Sequence, residues 1–267
     1  MASAAAVAQA TDRTLVVVWR TDHHCEARIS DLLRYDGPVI ESDEADRIRA
    51  ACGLDYNYME IEPGSQFEAP ILAGADASSR EDVYVRSAYP LNSPHRVYDV
   101  EQAFLRSLRP SDAVLDMIAG FRPPFDVAVH IRMAGGPAFE HMPFESSDNW
   151  PEHRHRELTA WREKSHRDNF VRRLDALVAQ GGADSIFLAA DMPETYAALS
   201  ARYGARLIWL ERDLYDRSPR QLQYALADLL MLSAGRRLLG SAWSSFSDVA
   251  QRLAREDRPF EQSGVDF

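Results

Sequence analysis

Arg132 is the residue around which the chemistry of this chain can be built. It follows Val127-Ala128-Val129-His130-Ile131, a short β-branched apolar run that reads as a buried strand. Pro123-Pro124 punctuates the start of that run and Gly135-Gly136 its end. Arg132 thus stands at the carboxyl end of a parallel strand, the side of an open α/β sheet where ligands bind. A guanidinium before a glycine turn suits an anion, above all a phosphate that its planar fork grips at two points. A salt bridge to a neighbouring helix is the competing reading. Two more strand ends carry polar groups: Asp191 after Ile186-Phe187-Leu188-Ala189-Ala190, and Ser244-Ser245-Phe246 before the last helix. Helix N-terminal amides and the two serines can receive a phosphate, and Asp191 can accept from a ribose hydroxyl or a base N–H. Each of these residues taken singly could be an ordinary helix cap; the three together in one alternating region point to a nucleoside-diphosphate pocket.

The elements that must position them alternate. After Pro110 the order is strand and helix four times over: strands at 127–131, 185–190, 206–210 and 237–239, helices at about 152–179, 193–203, 220–233 and 248–253. This is a Rossmann-like α/β pattern. Ser111 caps a helix to about Gly120, and the border between two domains is expected there, 1–110 and 111–267. The first domain opens with an alanine-rich helix at 1–10. A strand at 15–19, a short helix at 27–33, a polar helix at 41–53, a strand at 82–88 and a helix at 100–108 follow. The tail after Glu256 is expected to be loose. Asp22, His23, His24 and Cys25 could be metal ligands, but adjacent histidines on a loop rarely both reach one ion, and a plain loop cluster is the better reading. The stretch 138–150 is long for a loop in a compact domain and carries Glu140, Glu145 and Asp148.

Bulk properties narrow the function. The 267 residues are 46% hydrophobic and 10% aromatic, enough to fill a core. A net charge of −11 disfavours nucleic acid. Two cysteines give no disulfide framework and fit a reducing cytoplasm. No apolar run reaches the roughly 20 residues of a transmembrane helix. Neither the glycine fingerprint of dinucleotide sites nor the Walker pattern occurs, so those phosphate sites are not supported.

The motifs resemble those of the GT-B fucosyltransferase superfamily, which includes the bacterial nodulation α-1,6-fucosyltransferases and the protein O-fucosyltransferases. The likeness rests on His130-Ile131-Arg132, Phe187-Leu188-Ala189-Ala190-Asp191 and Ser244-Ser245-Phe246. The segment from Asp228 to Gly240 and the stretch from Leu15 to Leu33 extend it over most of the chain. The resemblance implies two Rossmann-like domains, the first on the acceptor side and the second binding the donor. It also implies inverting transfer from GDP-fucose to a glycan or other hydroxyl acceptor, with no metal and no cofactor. Arg132 would hold the β-phosphate, His130 and Asp191 would contact guanosine, and Ser244, Ser245 and Phe246 would hold the diphosphate. Glu140 would take the acceptor's proton, with Glu145 and Asp148 as rivals. Two departures stand out. The glycine-rich loop that precedes the first helix in relatives is missing, which implies an incomplete first domain and the alternative of a GDP-sugar-binding protein without turnover. Met133 replaces the second arginine of the central motif, which weakens the tie to α-1,6 transfer.

Overall fold

A computed structural model describes residues 1–22, 25–60, 62–134, 151–212 and 216–267, and the chain divides into two units, Met1–Ser111 and Asp112–Phe267. The first unit holds α1 (Ala2–Ala10), β1 (Val17–Val18), α2 (Ile29–Leu32), β2 (Leu33–Arg34), β3 (Val39–Ile40), α3 (Glu44–Ala51), β4 (Leu54–Tyr58), β5 (Val83–Ser87), α4 (Tyr98–Ser107) and β6 (Arg109–Pro110). Its strands pair two by two: β1 with β3 and β4 with β5 in parallel, β2 with β6 antiparallel. The strand expected over 15–19 shrinks to two residues. Val16 is 43% exposed, so one of its apolar side chains faces water instead of a second sheet neighbour. The core of this unit is Val7, Tyr56, Tyr58, Ile71, Leu72 and Leu91. Tyr56 closes it with its hydroxyl, which donates to Asp76 at 2.5 Å and accepts from the Leu72 N–H at 3.3 Å.

The second unit holds α5 (Asp112–Ile118), β7 (Val127–Ile131), α6 (Glu152–Lys164), α7 (Arg167–Ala179), β8 (Ile186–Ala190), α8 (Pro193–Tyr203), β9 (Leu207–Ile208), α9 (Pro219–Ser233), β10 (Leu238–Ser241), α10 (Ser245–Leu253) and β11 (Phe260–Ser263). The five strands form one parallel sheet in the order β11-β10-β7-β8-β9. Alternate side chains feed two cores. Val127, Val129, Ile131, Ile186 and Leu188 meet Phe170 and Leu174 of α7 and Leu199 of α8. On the other face Ala128, Phe187, Ala189 and Leu238 meet Val114 of α5, Ala227 and Met231 of α9, and Ala250 of α10. Coverage of both faces is why β7 and β8 read as unbroken apolar runs and not as alternating ones. From β7 the chain steps outward through β8 to β9. It then returns by α9 to lay β10 on the opposite edge of β7. The order of connection therefore reverses between β7 and β10, and the carboxyl ends of those two strands flank the crevice where open α/β sheets take ligands.

Two expectations need correction. The helical region over 152–179 is two helices, because Ser165 ends α6 and the His166 side chain accepts the Asp168 N–H at 3.3 Å to start α7. The tail is not loose. Phe260–Ser263 adds β11 in register with β10, Leu238 opposite Phe260 and Ser241 opposite Ser263. Its polar sequence hides a strand that is anchored by charge. Glu261 accepts from Arg173 at 2.6 and 2.9 Å and pairs with Arg237 as well. Just before it, buried Arg258 donates to the Leu232 carbonyl at 2.6 Å, the Ala250 carbonyl at 2.9 Å and the Gln251 side chain at 2.9 Å. It thereby ties the tail to the ends of α9 and α10. Arg258→Met removes these donors and strips the Ala250 carbonyl and the Gln251 side-chain oxygen of their guanidinium partner, so it should lower unfolding free energy by about 3 kcal/mol. Urea midpoints of the two proteins test this, and a change within about 0.5 kcal/mol would show that the tail does not depend on Arg258.

Candidate functional site

The site is assembled by adjacent strand ends. Beyond β7 the backbone N–H of Arg132 donates to the Ser241 hydroxyl at 2.8 Å, and that hydroxyl donates back to the His130 carbonyl at 3.2 Å. Ser241 is fully buried and ends β10, so it locks the two strands together at the crevice. Asp191 follows β8. Its carboxylate accepts from the Arg132 guanidinium at 2.8 Å, the Met133 N–H at 3.0 Å and the Ala134 N–H at 2.8 Å. Asp191 therefore clasps the turn that carries Arg132. The Arg132 side chain keeps 28% of its surface exposed and that of Asp191 keeps 15%. The sequence reading gives Asp191 to guanosine; in the structure both of its oxygens are engaged with the Arg132 turn.

His130 is buried beneath the crevice. Its Nδ1 lies 2.8 Å from the Ser247 hydroxyl, and its ring packs on Phe246 with centroids 4.8 Å apart. Burial pushes its pKa down to about 3, opposed by Asp191 and helped by Arg132. His130 thus supports Phe246 from a buried position; the sequence reading gives it a guanosine contact. Close packing here depends on Gly240, opposite His130 in β10. A Cβ on it would lie 2.8 Å from the Phe260 ring and 2.9 Å from the Ser247 hydroxyl.

Ser244, Ser245 and Phe246 begin α10. Ser244 is the buried N-cap, yet its hydroxyl makes no capping bond, while Ser245 is exposed. The first-turn amides of α10 have no helical partner of their own. Before them Trp243 has a left-handed backbone, φ 52°, and is 41% exposed. A bulky aromatic in that region is a genuine outlier. Ser241, Ser247 and Trp243 all escaped the sequence reading; the serine-rich run 241–247 is the one signal that could have found the first two. Glu140, Glu145, Asp148, His23 and His24 lie outside the described residues. Among the described residues no group of three or more His, Cys, Asp or Glu could hold a metal ion, and no helix is long and apolar enough to cross a membrane.

No protein-family model matches the chain, and no curated protein matches its sequence. Solved structures do match. NodZ α-1,6-fucosyltransferase soaked with GDP-fucose superposes with a TM-score of 0.62 at 16% identity, covering 95% of this chain and 86% of that one. The fucosyltransferase NodZ from Bradyrhizobium gives 0.59 at 16% identity, over 95% and 87%. POFUT1 in complex with GDP-fucose gives 0.55 at 16% identity, over 99% and 93%. The chain shares its GT-B fold with these fucosyltransferases. At this identity the likeness is one of fold, and it agrees with the resemblance carried by the three motifs.

The buried titrating groups make the acid limb of stability readable. Unfolded His130 takes a proton near its ordinary 6.5, whereas folded His130 stays neutral to about 3. The unfolded chain thus binds more protons in that window, and His130 removes stability as pH falls from 6.5 toward 3. Buried Asp228 has the opposite sign. Desolvation raises its carboxyl to about 6 against the pull of Arg212, so its contribution is present below 3.8 and lost as pH rises toward 6. His130→Asn should therefore flatten the loss of stability on acidification below pH 6.5, whatever it costs at neutral pH. Urea unfolding at a series of pH values measures the slope; an unchanged slope would mean that His130 is not held neutral.

Proposed function

We propose that this protein is an inverting glycosyltransferase that moves fucose from GDP-fucose to a hydroxyl of a glycan or similar acceptor, without a metal ion. The observation that carries the reading is Arg132, partly exposed, clasped by Asp191 and tied through its backbone N–H to Ser241 at the end of β10, the strand that leads into α10. The fold shared with a GDP-fucose-soaked fucosyltransferase supports it. In this reading an acceptor oxygen attacks the anomeric carbon from the face opposite GDP. The bond from that carbon to the β-phosphate oxygen breaks, and GDP departs with the electron pair. Arg132 and the first-turn amides of α10, at Ser245 and Phe246, meet the charge that develops on the diphosphate, the part a divalent ion plays elsewhere. Ser244 shapes the turn, and Asp191 and His130 hold Arg132 and Phe246 in place. The acceptor's proton goes to Glu140, on the chain that follows Arg132, with Glu145 and Asp148 as the other candidates.

Titration with GDP, and GDP release from GDP-fucose in the presence of glycan acceptors, test the proposal. Binding of both nucleotides with acceptor-dependent GDP release is expected. Arg132→Ala should lower kcat/KM about 10²–10³-fold, the effect of losing one preorganised donor to a developing anion. Arg132→Lys should recover only part, because an ammonium cannot match the two-point grip. Nucleotide binding without turnover would favour a GDP-sugar-binding protein. No binding of GDP or GDP-fucose would overturn both readings.

A further inference from the structure

Ala190, the last residue of β8, has a backbone problem that its own sheet does not solve. The Asp191 N–H turns toward β7 and donates to the Ile131 carbonyl at 3.4 Å, so the N–H and C=O of Ala190 point the other way, toward β9. But β9 pairs with β8 only at Ile186–Leu207 and Phe187–Ile208 and ends before it reaches Ala190. Ala190 is 7% exposed, so water does not readily replace the missing neighbour. One side chain does. The Tyr196 hydroxyl, from the first turn of α8, accepts the Ala190 N–H at 2.7 Å and donates to the Ala190 carbonyl at 2.9 Å. Arg212 donates to the same oxygen at 3.1 Å while pairing with Asp228 at 2.6 Å, which holds the hydroxyl from behind. The residue after Ala190 is Asp191, whose carboxylate clasps Arg132, Met133 and Ala134.

We propose that Tyr196 is a positioning residue for Arg132: its hydroxyl replaces the absent strand at Ala190, fixes the backbone from which Asp191 projects, and so sets the turn that presents the guanidinium. The path runs from the tyrosine hydroxyl through one peptide unit and one carboxylate to the turn. Where it bears on donor binding, this inference rests on the proposed GDP-sugar site; the mechanical claim does not. Tyr196→Phe removes one oxygen and keeps the ring in its packing against Trp209, 6.3 Å between centroids. Tyr203→Phe is the control. It lies on the same helix, is equally buried, and loses bonds from its hydroxyl to the Val171 carbonyl at 3.2 Å and Asp175 at 3.1 Å, well away from the clasp.

Two measurements decide. Amide hydrogen exchange in the ligand-free protein should quicken about tenfold at Met133 and Ala134 in Tyr196→Phe, the scale of one hydrogen bond, and stay unchanged in Tyr203→Phe. GDP affinity should weaken about tenfold in Tyr196→Phe and not in the control. Added to Asp191→Asn, Tyr196→Phe should cost little more, since both act through one clasp. Unchanged exchange at Met133 and Ala134, unchanged GDP affinity despite faster exchange, or full additivity with Asp191→Asn would each overturn the proposal. If the parent protein binds no GDP, the donor-site reading falls, and the exchange result still decides the mechanical role of Tyr196. If Tyr196→Phe does not fold, exchange in the parent settles the matter. Ala190, Met133 and Ala134 should open together with one free energy, and separate openings would refute the coupling.

Discussion

A carboxylate with three donors around it holds this site together. Asp191 meets one guanidinium and two backbone N–H groups within 3.0 Å, and every other feature of the crevice follows from keeping those atoms in place. An arginine at a strand end could adopt many rotamers in water, and each ordered side-chain torsion carries an entropic cost. Asp191 removes that freedom before any ligand arrives. Because the carboxylate also binds the peptide N–H groups of the next two residues, it orders the backbone and the side chain in one step. Preorganisation of this kind is what makes a donor effective toward charge that appears only during a reaction.

The sheet supplies the platform. A parallel arrangement covered on both faces demands apolar side chains on both sides of β7 and β8, which is met by Val127–Ile131 and Ile186–Ala190. Polar groups are then confined to the strand ends, and the reversal of connection order between β7 and β10 gathers them at one crevice. Small residues let the layers close. Gly240 leaves room for Ser247 against His130, and Ser241 is compact enough to bridge two strands with one hydroxyl.

Much of the second unit was legible because its signals are local. Short apolar runs gave β7 and β8, Pro193 marked the start of α8, and the 3.6-residue stripe through Leu226 and Leu230 gave α9. The strand-end polar residues could be found because an α/β sheet puts its chemistry there. What was not legible depends on partners distant in sequence. The β11 strand is stabilised by Arg173 and Arg237, 88 and 24 residues from Glu261, and nothing in Phe260-Glu261-Gln262-Ser263 announces it. The break between α6 and α7 lacks proline and glycine, so periodicity runs straight through it. The clasp itself joins positions 59 apart. A lone aspartate after a strand reads equally well as a helix cap or a ligand, and only the fold decides that it faces Arg132.

Charge explains why His130 is kept neutral and Arg132 is not. The chain carries −11 overall, so an anionic ligand is favoured only where cationic groups and amide dipoles converge to outweigh that net charge. A second cation beneath Arg132 would add attraction, but it would also have to be desolvated inside a closed core, a cost of several kcal/mol that the pull of Asp191 on His130 does not offset. Burial resolves the conflict by holding the imidazole uncharged, and Ser247 satisfies its Nδ1. The guanidinium avoids the same cost in a different way. It keeps part of its surface in water, shares a formal charge with Asp191, and has five N–H donors, more than one carboxylate can occupy. In the proposed donor site the fork would remain anchored to the protein while it engages a phosphate, whereas an ammonium would have to choose between them. The site is therefore built around an arginine, and the aspartate that partly neutralises it is what keeps it ready.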